Sequence, residues 1–112
     1  MNLRLCVLVS ALASGCAAKF FPPTELDLAR VKDKWPDLTL AQLQEGQQIF
    51  KARCHKCHGL RAADHEPPGD WPHVLNTMAK KAKLTPEERA HVERYLVTMS
   101  DRPQDQPGPP AE

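Results

Sequence analysis

Cys54-His55-Lys56-Cys57-His58 places two thiols three positions apart, with an imidazole directly after the second. Two thiols at that spacing can each add across one vinyl group of the same porphyrin, leaving two thioethers. The next residue, His58, is then held under the iron and can ligate it through a ring nitrogen. The order Cys-x-x-Cys-His is the signature of covalent haem c attachment, one haem for this chain. A zinc site would need two further ligands at a defined spacing. His65, His73 and His91 offer no second pair three to five residues apart. A redox dithiol would need its Cys-x-x-Cys in a strand–helix pattern, and the sequence on both sides reads as helical. His55 lies inside the motif and points away from the iron.

The remaining cysteines belong to export. Arg4 followed by the apolar run from Leu5 to Ala13 reads as a secretion signal, and the run is too short to span a bilayer as a mature helix. It ends in Leu12-Ala13-Ser14-Gly15-Cys16, which resembles the lipobox of bacterial lipoproteins. That resemblance implies that residues 1–15 are removed and that Cys16 is lipidated and becomes the first residue. Several acyl chains anchor a protein stably where a single one does so marginally. The alternative is an ordinary cleavage near Ala17 or Ala18, which would leave a soluble periplasmic protein. Either route carries the chain across the membrane, where haem c is attached. Ala17 lacks the Asp that resembles an inner-membrane retention signal, which points to the outer membrane. Of the four cysteines, Cys6 leaves with the signal, Cys16 takes lipid, and Cys54 and Cys57 take haem, so no disulfide is expected. Loss of Arg4 brings the mature chain to 14 Lys+Arg against 14 Asp+Glu. That balance gives no reason to expect nucleic acid as a partner.

The elements that must position the motif are helical. Thr39-Leu40-Ala41-Gln42 is a capping box opening a helix with Leu43, Gly46, Gln47, Phe50 and Cys54 along one side. A second helical tract, from about Asp70 to Lys83, has Trp71, Leu75, Met78 and Ala82 on one face, with Pro72 tolerated in its first turn. Thr85-Pro86-Glu87-Glu88 combines a capping box with Pro at the first helical position. It opens a third helix with Val92, Tyr95, Leu96 and Met99 inward, ending before Pro103. Residues 16–38 read as a lipidated tether that drapes over the domain, with Leu26, Leu28 and Val31 forming one or two helical turns. Residues 39–101 are the haem domain. Residues 102–112, rich in proline, are expected to be disordered. An ordered core of about 65 residues is marginal without help, and a haem buried among the helices would supply the missing apolar mass.

The pattern from Thr39 to Ser100 resembles a class I-like monohaem cytochrome c domain. The likeness lies with small bacterial cytochromes whose haem motif is followed by W-P-x-x-V/L…M and then by a lysine-rich turn and L-T-P-E-E. Here those residues are Trp71-Pro72, Leu75, Met78, Lys80-Lys81-Ala82-Lys83 and Leu84-Thr85-Pro86-Glu87-Glu88. The resemblance implies an all-α fold, cytochrome c-like, with three to four short helices wrapped around one covalent haem. It implies a close crossing of the first and last helices at Gly46, Phe50 and Tyr95. A helix backbone can approach so closely only where no side chain intervenes, as at Gly. It also implies His58 as proximal ligand, with its second ring nitrogen donating to a prolyl carbonyl, of Pro67 or Pro68, Pro68 being preferred. Met78 is the expected sixth ligand, twenty residues beyond His58 on an apolar face. Met99 and, as bis-His alternatives, His65, His73 and His91 stay open. Trp71 would pack on the haem edge, its indole N–H in reach of a propionate.

These readings converge on electron transfer. His/Met ligation fills both axial positions and raises the reduction potential, and no distal acid–base pair suited to an enzyme is visible. The expected partners are redox proteins rather than a small-molecule substrate. They are acidic if the cluster Lys51, Arg53, Lys56, Arg61, Lys80, Lys81 and Lys83 steers docking. A gas or redox sensor with an open sixth position, and a haem subunit of a larger dehydrogenase or reductase complex, are the alternatives.

Overall fold

A computed structural model describes residues 20–54 and 60–109. Among them all regular structure is helical, in the order α1 (Glu25–Arg30), α2 (Leu40–Arg53), α3 (Trp71–Lys81) and α4 (Pro86–Ser100). Two single 3₁₀ turns, Ala63–His65 and Pro68–Asp70, precede α3. The signal segment, Cys16, and the stretch His55 to Gly59 lie outside the described residues.

Each long helix starts where its side chains can satisfy the first free N–H groups. Thr39 Oγ1 accepts from the Gln42 N–H at 3.2 Å while Gln42 Oε1 accepts from the Thr39 N–H at 3.1 Å. Thr85 and Glu88 make the same reciprocal pair at 3.1 and 3.0 Å, with Pro86 at the first helical position of α4. Helix α3 begins with Trp71-Pro72, where proline loses no hydrogen bond. It ends in a Schellman turn: the Leu84 N–H reaches Ala79 O at 3.0 Å and the Lys83 N–H reaches Lys80 O at 3.1 Å. Lys83 holds the left-handed position of that turn, φ 57°, which glycine usually fills.

Helix α4 is the centre of the molecule. It crosses α2 so tightly that a Cβ on Gly46 would stand 2.8 Å from Tyr95 Cβ and collide with the His91 carbonyl. Beside that contact the Phe50 and Tyr95 rings pack with centroids 5.8 Å apart. The expected meeting of Gly46, Phe50 and Tyr95 is therefore present. The main core joins these residues to Cys54, Trp71, Leu75, Val92, Leu96, Val97 and Met99. A smaller cluster of Leu28, Leu38 and Leu43 lies under α1.

Residues 20–38 lie against the domain, α1 supplying the short helical stretch expected there, and residues of the tail, expected to be disordered, also make contacts. Residues 20–38 are packed: Gln47, buried in α2, donates to the carbonyls of Phe20 and Phe21, each at 3.0 Å. Trp35 packs against the main core, under the Arg94 guanidinium of α4 at 5.9 Å. The tail is held at Gln106 and Pro107. Asp27, fully buried, accepts from Gln106 Nε2 at 2.7 Å and Arg30 Nη2 at 2.8 Å. Arg30 also caps the end of α4, donating to Thr98 O and Asp101 O. A composition rich in proline says little about segments whose order comes from one buried carboxylate.

Candidate functional site

Helix α2 delivers the first cysteine of the motif. Cys54 is its C-terminal cap residue, its N–H bonded to Phe50 O at 3.0 Å, and its side chain is buried. Being one turn beyond Phe50, it shares that residue's inward face. The end of α2 is pinned by Arg53, which donates to Ala82 O at 3.2 Å and pairs with Glu88 at 3.3 Å. This ties the position of Cys54 to the turn between α3 and α4. Arg53 is thus a structural cation, whereas Lys51, Arg61, Lys80, Lys81 and Lys83 are exposed. Lys56 lies outside the described residues.

Cys54 opens onto a pocket of about 120 Å³. Phe50 and Leu60 line it with the cysteine, and α3 contributes Trp71, Val74 and Met78. These three are spaced i, i+3 and i+7, the stripe by which a helix faces one surface. Trp71, Leu75 and Ala79 are buried beneath it, while Val74 and Met78 are half-buried along the pocket. The polar side chains of the lining are Arg61, His65 and Glu66, all from the loop that precedes the second 3₁₀ turn. A thiol, a thioether and apolar walls with a polar rim suit an amphiphilic macrocycle bound through sulfur.

The other expected site residues divide. Cys57 and His58, with His55, fall outside the described residues, so the ring of His58 and its partner are not placed. Pro68 is half-buried and opens the second 3₁₀ turn; the Pro67 carbonyl accepts the Asp70 N–H at 3.0 Å. Trp71 Nε1 donates to Ala63 O at 2.8 Å within the core, so the indole N–H expected to reach a propionate is committed to the backbone. Trp71 gives the pocket its apolar ring. Met99 is buried in the main core and does not line the pocket. His73 is exposed on the first turn of α3. His91 is buried at the α2–α4 crossing, its Nδ1 3.3 Å from Glu45 Oε2, and is not in the pocket wall.

His65 is the one histidine of the described residues in the lining. Arg61 Nη1 stands 2.6 Å from His65 Nε2. A guanidinium has only donors, so in this contact Nε2 is the acceptor. Sequence reasoning did not foresee this pair, although the spacing of four between Arg61 and His65 lay in view. Nothing in the sequence marked residues 61–66 as a folded turn.

Among the described residues no three His, Cys, Asp or Glu side chains converge as a metal-binding group. No helix among them is long and apolar enough to cross a membrane. Comparison of the chain with protein-family models, with curated proteins and with solved structures finds no match.

Proposed function

We propose that this chain is a monohaem c-type cytochrome that passes single electrons between redox proteins on the periplasmic side of the cell envelope, tethered by lipid on Cys16. One observation carries the reading: Cys54 of the attachment motif and Met78, the expected sixth ligand, line the same pocket. Cys54 and Cys57 would hold the porphyrin by thioethers, with His58 and Met78 as axial ligands. Phe50, Leu60, Trp71 and Val74 would exclude water from its faces. When bound, haem supplies a one-electron ferrous/ferric couple whose potential a Met sulfur raises. The residues themselves make and break no substrate bond. They fix the distance to a partner, and the exposed Lys51, Lys80, Lys81 and Lys83 favour a partner with an acidic face.

The test is the ferric protein produced with the c-type maturation machinery. Covalent haem should survive denaturation in the wild type and be lost in the Cys54→Ser/Cys57→Ser double variant. The far-red charge-transfer band of Met sulfur on iron should be present in the wild type and absent in Met78→Ala. Haem without that band in the wild type would replace electron transfer by a sensor with a weakly held sixth position. Failure to attach haem at all would remove the reading.

A further inference from the structure

A second cleft, of about 220 Å³, lies between the segment that follows α1 and the helices α2 and α4. It shares no lining residue with the pocket of Cys54. Its lining includes Lys34, Trp35, Asp37, Leu38, Gln42 and Arg94. The segment is built as a wall. The N–H groups of Lys34 and Trp35 bond to Val31 O at 3.1 and 2.9 Å, and the Leu38 N–H bonds to Trp35 O at 3.1 Å. Lys32 Nζ ties the carbonyls of Pro36 and Leu38 together at 3.1 and 2.9 Å. Trp35 packs against both apolar clusters, so its ring is held in place.

Two cations are gathered on that ring. Lys34 Nζ stands 4.7 Å from its centroid and the Arg94 Cζ 5.9 Å. Among the described residues neither side chain pairs with a carboxylate, and Asp37, the acid of the lining, pairs with neither cation. A ring face is a partial substitute for a counter-ion, and two like charges drawn to one ring repel each other. Gln42 adds a donor. Its Oε1 is taken by the Thr39 N–H at 3.1 Å, which leaves the Nε2 amide without a hydrogen bond among the described residues. Gln42 lies in the first turn of α2, the end of a helix that carries partial positive charge. An ammonium, a guanidinium and an amide around one cleft ask for an anion with more oxygens than a carboxylate has. A phosphate offers one to each, and the guanidinium fork fits two.

We propose that this cleft binds a phosphate group, free or carried by a lipid headgroup, with Lys34 and Arg94 neutralising its charge and Gln42 donating to a further oxygen. The site does not depend on the haem reading.

The test titrates the full chain with inorganic phosphate at constant ionic strength, following the two tryptophan indole N–H signals by NMR. Trp35→Phe assigns them. The Trp35 signal should move saturably while that of Trp71, bonded to Ala63 O, stays. Binding should weaken at least tenfold in Arg94→Gln and in Lys34→Gln, and only in part in Arg94→Lys. An unmoved Trp71 signal in each variant shows that the fold is kept. A second titration uses glycerophosphoglycerol, an anionic lipid headgroup without its chains. Tighter binding of this diester assigns the site to lipid, and tighter binding of inorganic phosphate assigns it to a free phosphate. A Trp35 signal that moves with neither probe, or variants that bind as the wild type does, would overturn the proposal.

Discussion

At the scale of single residues the most consequential group outside the pocket is Asp27. Its side chain is fully buried and accepts five contacts. Arg30, Gln106 and Arg102 meet Oδ1, and the Thr24 N–H and hydroxyl meet Oδ2. Burial alone would raise its pKa; the donors from Arg30, the Thr24 backbone, Gln106 and the Thr24 hydroxyl outweigh it and hold the carboxyl below its usual value of 3.8. A depressed folded pKa means that the unfolded chain binds the proton more readily. The stabilisation by Asp27 is therefore complete above 3.8 and is lost as pH falls through the lower folded value. Asp27→Asn should cost roughly 2–4 kcal/mol at neutral pH, since two arginines would lose their buried counter-charge. It should also flatten the acid limb of a plot of melting temperature against pH. An unchanged acid limb would mean that another carboxylate controls it. Nothing local to Asp27 marks its role in the sequence. A lone Asp in a charged stretch reads as solvated, and only the fold brings Arg102 and Gln106 to it.

At the scale of elements, the helices were legible because their signals are local. Two capping boxes, a proline at the first position of α4 and a continuous apolar stripe each depend on neighbours within four residues. Gly46 was legible for a different reason: a glycine amid good helix formers has a cost that a close crossing explains. Gly46→Ala should destabilise by about 3 kcal/mol, because the added methyl meets backbone and a Cβ that cannot move aside. Chemical denaturation would show it as a lower midpoint with an unchanged slope. Lys83 is the reverse case. Its φ of 57° suits glycine, so Lys83→Gly should stabilise by about 1 kcal/mol, read as a rise in melting temperature. What remained illegible was the inward turn of His91, Val97 and Thr98. One apolar stripe predicts one buried face, and α4 has more, because the chain N-terminal to α2 covers its far side. Of the site, α2 and α3 placed Cys54 and Met78 on facing stripes as their periodicity required. The rim of Arg61 and His65 belongs to a loop without periodicity.

At the scale of the whole molecule, α1 and residues 101–107 converge on the end of α4, away from the pocket. Gln106 donates to Asp27 at 2.7 Å and accepts from Arg30 Nε at 3.0 Å. Arg102 reaches back to the carbonyls of Gln106 and Pro107 at 3.2 and 2.7 Å. None of these residues lines the pocket, so the clamp and the site can be altered independently. Ending the chain after Arg102 removes one hydrogen bond to a buried charge and should cost about 2 kcal/mol. In combination with Asp27→Asn the loss should be smaller than the sum, because the two changes remove the same contact. The haem spectrum, including the Met78 band, should be unaltered in the truncated protein. If the two losses simply add, Gln106 stabilises the chain through something other than Asp27. If the haem spectrum changes, the clamp and the pocket are coupled through α4, whose Met99 lies in the same core as Cys54. On the proposed function, the pocket must be rigid while the tail need not be. The separation of the two predicts that the tail varies freely in length without moving the reduction potential.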